Sequence, residues 1–282
     1  AEVIACTDSF RFGNINNNKT RWIHDGVVDG IAGYSNPLGI PNIGGDIYYN
    51  DGYTENCLVT LVTLGIVRED LIIHSYAPDN AIGYDLILIG KPTDNSGFGG
   101  ASFASLELEE DKKEQNKGAV QEPNAFLERH ILKSTYSLFK YFQKNKMTDK
   151  VGFKDLGAGG VACASIELAD AAGMGANVWV DKVHTSMPDL SSHVILCSET
   201  QERFMWVCHP DLTEMILDHY NKTFDMSTVS KLAQASVVGK IHNKQQYIVH
   251  FGEDEIVNAP AVMVTKGFNE DRTIKKPELK LK

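Results

Sequence analysis

The run from Cys57 to Val67, CLVTLVTLGIV, is nearly continuous in apolar and β-branched residues, and it restricts the architecture of this chain more than any other segment. It falls short of the roughly 18 apolar residues a membrane span requires, and no other run in the chain reaches that length. It also lacks the strict alternation of a strand with one wet face. The expectation is a long buried strand covered on both faces, inside an α+β or α/β layer structure. The 282 residues, 43% of them hydrophobic, can bury a sizeable core or divide into two domains.

The flanking segments extend this pattern. Ala1 opens directly onto another apolar strand, AEVIACTDS, with no signal pattern, so this element reads as sheet interior and half of an active site is expected upstream of it. From Thr20 to about Ser35, the residues Trp22, Ile23, Val27, Val28, Ile31 and Tyr34 recur at helical spacing, and Asn36-Pro37 is expected to end that helix. Gly44-Gly45 leads into a short strand, Asp46 to Tyr49. Charges and turn formers interrupt the pattern between Arg68 and Gly83, which predicts a domain boundary there.

Beyond it, strands and helices alternate. The spacing predicts a strand over Tyr84 to Gly90, a helix over Asn124 to Asn145 and a strand over Val151 to Leu156. A helix from Gly160 to about Ala172, a strand from Ala176 to Val183 and a short helix before Ser198 follow. Strand Arg203 to Cys208, helix Pro210 to Tyr220, and strands near Ala235 to Ile241 and Gln246 to Phe251 complete the unit. The charged stretch Leu106 to Lys117 reads as a solvated, mobile loop. The basic, proline-containing string beyond Asn258 reads as a linker or the start of a further domain.

Several function classes are disfavoured. Five scattered cysteines without a CxxC pair argue against a disulfide framework and a zinc site. Nine histidines form no HxxxH or HxH pattern, and no Gly-x-Ser-x-Gly elbow is present. A formal net charge of −10 disfavours nucleic acid or an anionic membrane as partner, and a cytoplasmic location is expected. A small anionic substrate stays open, because a few backbone N–H groups and one cation can hold a phosphate.

Three constellations carry candidate chemistry. Lys154-Asp155-Leu156-Gly157-Ala158-Gly159-Gly160 follows a strand and opens a helix, so its N–H groups favour an anion and Asp155 is placed to hold a divalent cation. A tight turn needed only for packing would account for the same glycines. The glycine-rich cluster from Thr93 to Ala101 reads equally as a long loop. Ser198-Glu199-Thr200-Gln201-Glu202-Arg203 offers polar groups for a hydroxylated or amide-bearing ligand, or a solvated loop.

The order of GVVDGIAGYSNPLGIPNIGGDIYYND, TDNSGFGGASFAS, VQEPNAF, DLGAGGVACASIELA and SETQER resembles the phosphoribosylformylglycinamidine synthase family, from about Asp8 to Gly252. The likeness is to the synthetase subunit of formylglycinamide ribonucleotide amidotransferase. It implies an aminoimidazole ribonucleotide synthetase-like (PurM-like) fold of α+β and α/β type. Residues 1–70 would be the second half of an N-terminal-type sheet domain and 71–252 a complete C-terminal-type α/β domain. Residues 253–282 would be a linker or the start of a second repeat.

The activity implied is phosphorylation of the amide oxygen of formylglycinamide ribonucleotide by ATP with Mg²⁺, then displacement of phosphate by ammonia. The ammonia would come from a glutaminase subunit, joined by a small bridging subunit. Position by position, the likeness implies substrate contacts at Gln121, Glu199, Thr200 and Gln201 and a magnesium ligand at Asp155. The family's Glu-Ser-His-Asn-His-Pro motif has no counterpart, so no catalytic residue is assigned. Its Gln-x-Gly-Asp-Pro turn is Gln121-Glu122-Pro123-Asn124-Ala125 here, and its Thr-Gly-Arg-Asp-Gly-Ile loop is Thr93-Asp94-Asn95-Ser96-Gly97-Phe98. Another ATP-dependent enzyme of the same superfamily and a non-catalytic nucleotide-binding fragment are the alternatives.

Overall fold

The computed structural model describes residues 1–99 and 120–267. The charged stretch Leu106 to Lys117, the end of the glycine-rich cluster at Gly100 and Ala101, and the tail from Phe268 lie outside them.

Strand β1 (Glu2–Phe12), helix α1 (Asn18–Leu38), strand β2 (Asn42–Tyr49) and strand β3 (Leu58–Ile66) form a first layer. Its sheet runs β2-β1-β3, with β1 and β2 parallel and β1 and β3 antiparallel. Parallel neighbours need a crossover, and α1 supplies it. Asn17 caps α1 by accepting from Lys19 N–H at 2.8 Å. Pro37 does not end the helix as expected but lies in its last turn, where a missing N–H forfeits one helical bond. The stop is Gly39, whose left-handed backbone (φ 73°) turns its N–H back to the Ser35 and Asn36 carbonyls.

The expectation for Cys57 to Val67 is half right. The run forms β3, but Leu58, Val59, Leu61, Val62, Leu64 and Ile66 are each at least 40% exposed. β3 is an edge strand exposed at every position, whereas Cys6, Phe10 and Phe12 of β1 are buried.

The larger layer contains β4 (Asp85–Gly90), α2 (Ala125–Lys144), β5 (Val151–Asp155), α3 (Gly160–Asp170), β6 (Gly175–Trp179), α4 (Ser192–Cys197), β7 (Arg203–Cys208), α5 (Pro210–Asp218), β8 (Gln234–His242), β9 (Gln246–Phe251), β10 (Asp254–Pro260) and α6 (Ala261–Lys266). The strands make one sheet in the order β10-β9-β6-β8-β4-β7-β5, in which β6 and β9 pair in parallel. Residues 254–266, expected as a linker or new repeat, add the edge strand β10 antiparallel to β9 and the helix α6. The chain reverses at Gly252, so β10 completes a hairpin rather than leaving the sheet.

Alternation along the central strands sorts residues into two cores. Leu86 and Leu88 of β4 join Met205 and Val207 of β7 under α3, with Val161, Ala164 and Leu168. Ile87 and Ile89 join Trp206 and Cys208 under α2, with Leu127, Ile131, Leu138 and Phe142. Burying each of these larger side chains stabilises by about 1.5–3 kcal/mol. Asn124 caps α2 by accepting from Leu127 N–H at 3.0 Å.

The two layers meet along α2. Tyr136 accepts from Val3 N–H at 3.1 Å, and Arg129 donates to the Pro37 and Leu38 carbonyls at 2.9 and 3.0 Å. Among the described residues no helix is long and apolar enough to cross a membrane.

Candidate functional site at one end of the larger sheet

Strands β4 and β7 are antiparallel neighbours with Gly90 opposite Arg203, so the chain leaving β4 and the chain entering β7 lie side by side. The Thr93 cluster and the Ser198 cluster therefore face each other, although about a hundred residues separate them.

Asp94 organises the contact. Its Oδ1 accepts from the Thr200 hydroxyl at 2.9 Å and from the Ser96 hydroxyl and N–H at 2.5 and 3.0 Å. Ser198 donates to the Asp94 carbonyl at 2.7 Å, and Lys91 Nζ stands 3.6 Å from Asp94 Oδ2. Burial works to raise the Asp94 carboxyl, but these hydroxyls, the N–H and Lys91 together hold it below the ordinary carboxylate range. Arg203, 2% exposed, donates to the Thr200 carbonyl at 2.9 Å and the Ser198 carbonyl at 2.5 Å. Burial brings its guanidinium down to about 10, so it remains cationic.

Gln121, Glu199 and Gln201 come together on this frame. Gln121 donates through Nε2 to Glu199 Oε2 at 3.1 Å, and Gln201 donates through Nε2 to Gln121 Oε1. Glu199 is 6% exposed and Thr200 fully buried. Thr200 thus holds Asp94, while two glutamine amides and one carboxylate are gathered together, donor and acceptor groups suited to an amide-bearing ligand.

The third constellation adjoins from β5, which pairs with the other side of β7 and places Asp155 opposite Phe204. Leu156 N–H donates to the Arg203 carbonyl at 3.2 Å. Gly160 opens α3 with φ 56°, and a Cβ there would lie 2.2 Å from the Ser198 carbonyl oxygen. Only glycine allows that approach, which brings the start of α3 against the loop carrying Glu199. The Gly159 cap offers no side-chain acceptor, and although Gly160 N–H turns back to the Gly157 carbonyl at 3.1 Å, the positive end of the α3 dipole still favours an anion.

Asp155 is exposed beside this turn. Lys154 pairs with Glu167 at 2.6 Å, and Cys163 donates to the same carboxylate at 3.0 Å. Burial and that hydrogen bond push the Cys163 thiol up to about 12, which disfavours the reactive thiolate. A cavity of about 480 Å³ opens between these parts, lined by Phe98, Gly99, Ala158, Gly159, Cys163 and Glu199.

Among the described residues no three His, Cys, Asp or Glu side chains converge on a metal position. Asp155 by itself offers one exposed carboxylate, and Mg²⁺ commonly takes one or two carboxylates and completes its shell with ligand oxygens and water. The structure thus brings Gln121, Glu199 and Gln201 into one hydrogen-bonded group, with Thr200 bonded to Asp94 beside it and Asp155 one strand away. Sequence reasoning missed Asp94, Lys91 and Arg203 as organisers and Tyr34 as a neighbour. For the first three the signal is only that they are polar residues beside strand ends, whereas Tyr34, whose hydroxyl donates to Glu202 at 2.9 Å, lies within α1 and carries none.

The profile described as AIR synthase related protein, C-terminal domain, matches residues 82–252, and that of the N-terminal domain matches residues 1–67. The phosphoribosylformylglycinamidine synthase subunit PurL of Methanothrix thermoacetophila is 42% identical over 277 residues, covering 96% of this chain and 36% of that protein. The subunit of the same name from Pyrococcus abyssi is 32% identical over 94% of this chain and 35% of its own length. T. maritima PurL complexed with FGAR superposes with a TM-score of 0.81 at 30% identity, covering 99% of this chain and 42% of that one. T. maritima PurL complexed with ATP gives 0.75 at 26% identity, and PurLQS from Thermotoga maritima 0.77 at 27%, covering 99% of this chain in each case and 40% and 41% of those chains. This chain therefore spans well under half the length of the relatives it matches.

Proposed function

The chain belongs to the AIR synthase related proteins, and from that premise we propose that it is part of a phosphoribosylformylglycinamidine synthase. In this reading it binds formylglycinamide ribonucleotide and takes part in the ATP-dependent conversion of its amide to an amidine. The observation that carries the proposal is the hydrogen-bonded group of Gln121, Glu199 and Gln201 beside the glycine-rich start of α3.

Gln121 and Gln201 would present amide donors and acceptors to the substrate amide, with Glu199 fixing the orientation of Gln121. Thr200 would act through Asp94 to keep the triplet in place. The N–H groups at the start of α3 would receive anionic oxygens, and Asp155 would hold Mg²⁺ beside them. When bound, that ion supplies positive charge against the negative charge of phosphoryl oxygens. A glutaminase subunit and a small bridging subunit would be partners and the cytoplasm the location, as the likeness implies.

The test is phosphate release by the purified chain with ATP, Mg²⁺, ammonium and formylglycinamide ribonucleotide, alongside substrate binding by calorimetry. Gln121→Ala should weaken substrate binding by about tenfold or more, and Asp155→Asn should weaken Mg²⁺-dependent ATP binding. A parent chain that binds the substrate no better than Gln121→Ala would overturn the assignment.

A further inference from the structure

Glu202 follows directly on the triplet and is an unusual residue to find there. Its backbone is left-handed, at φ 53°, and its side chain is 5% exposed. Oε1 accepts from the Tyr34 hydroxyl at 2.9 Å, whereas Oε2 is buried without a hydrogen-bond partner among the described residues. The Asn124 backbone also supports this carboxylate, and the Glu202 carbonyl accepts from Lys91 N–H at 3.1 Å. A buried carboxylate near a second one, Glu128, is an expensive way to fill space, and an apolar residue would pack there at less cost. Strained backbone and incompletely satisfied charge together point to a positional role.

Three parts of the chain converge on this one group. Tyr34 belongs to α1 in the first layer, Asn124 caps α2, and Glu202 ends the loop that presents Glu199 and Gln201 to Gln121. The C-terminus of α1 is held separately by Arg129, so Tyr34 comes from a helix whose position is already set.

We propose that Glu202 is a positioning residue: its carboxylate, held by Tyr34, fixes the left-handed turn that aims Glu199 and Gln201 at Gln121, and so couples the seating of α1 to the candidate substrate site. This rests on the assignment of that site to formylglycinamide ribonucleotide.

The experiment compares the full chain with Tyr34→Phe, Glu202→Ala, Glu202→Gln and the Tyr34→Phe/Glu202→Ala pair. Calorimetry gives affinities for formylglycinamide ribonucleotide and for ATP, and amide hydrogen exchange at Glu199 to Gln201 is followed without ligand. Tyr34→Phe and Glu202→Ala should each weaken the ribonucleotide by about tenfold and leave ATP within about twofold. Glu202→Gln, which keeps an acceptor for Tyr34, should recover most of the loss. The paired variant should be no weaker than Glu202→Ala alone. Exchange at Glu199 to Gln201 should quicken in Tyr34→Phe. Lower melting temperatures with unchanged affinity and exchange would overturn the proposal. If the parent itself fails to bind the ribonucleotide, the assignment of the site fails and exchange alone decides: unchanged protection in Tyr34→Phe rejects the coupling, and faster exchange supports it.

Discussion

Arg203 donates through Nη1 to the Thr93 hydroxyl at 2.8 Å, and both side chains are buried. The bond spans 110 residues and fastens the loop that leaves β4 to the loop that enters β7. With the Thr200 and Ser198 carbonyls, Arg203 makes a fork of donors that shapes the frame under Gln121 and Glu199.

A lysine cannot reproduce that fork. Arg203→Lys should leave buried acceptors unsatisfied and cost about 2–4 kcal/mol of stability, read as a lower urea midpoint at unchanged slope. An unshifted midpoint would show that the fork contributes nothing.

The glycines of this chain divide sharply by position. Gly160→Ala forces a Cβ to 2.2 Å from the Ser198 carbonyl oxygen at a positive φ, and should cost more than about 2 kcal/mol. Gly30→Ala, inside α1 with nothing within 4 Å of the new Cβ, should stabilise by about 0.5–1 kcal/mol. Thermal unfolding of both variants tests the pair, and a loss at Gly30 or a gain at Gly160 would contradict the geometry.

Burial and the nearby Glu202 charge push the Glu128 carboxyl from 4.5 up to about 7. The folded state therefore holds a proton that the unfolded chain has released over that window. The resulting stability is present below pH 4.5 and lost as pH rises through about 7. His184 works in the opposite sense: burial lowers it from 6.5 to about 4, so its stabilising effect is lost as pH falls across that range. Melting curves of the parent and Glu128→Gln separate the two. Their difference should grow by up to about 3 kcal/mol in favour of the variant between pH 4.5 and 7, and a constant difference would refute the shift.

The exposed apolar face of β3 should be adhesive, because it is an edge strand with unsatisfied apolar surface. Leu64→Lys should reduce concentration-dependent association in sedimentation and binding of an apolar dye, while shifting stability by no more than about 0.5 kcal/mol. Equal association by parent and variant would place the contact elsewhere.

Much of the larger layer was legible because its elements are encoded locally. Arg203–Cys208 and Gln246–Phe251 form the predicted strands, and Asn124 and Asn145 flank α2 as its spacing required. The glycine turn at residues 157–160 announced a strand-to-helix junction, and it is one. The grouping of Gln121 with Glu199 was open to motif order, whereas the supports beneath it were not. Nothing local to Tyr34 reveals that a carboxylate 168 residues away will need its hydroxyl.

The runs at β3 and β4 separate the two kinds of information. LVTLVTLGI and DLILIG are both nearly unbroken apolar stretches, and each became a strand because β-branched and apolar side chains in short runs favour extended backbone. Yet β4 is buried at every position and β3 exposed at every position. Local side-chain chemistry is enough to make both segments strands and to set a glycine turn ahead of α3. Which strand is covered and which distant side chains meet follow from the assembled fold alone, because burial and long-range hydrogen bonds depend on what packs over a residue rather than on its neighbours along the chain.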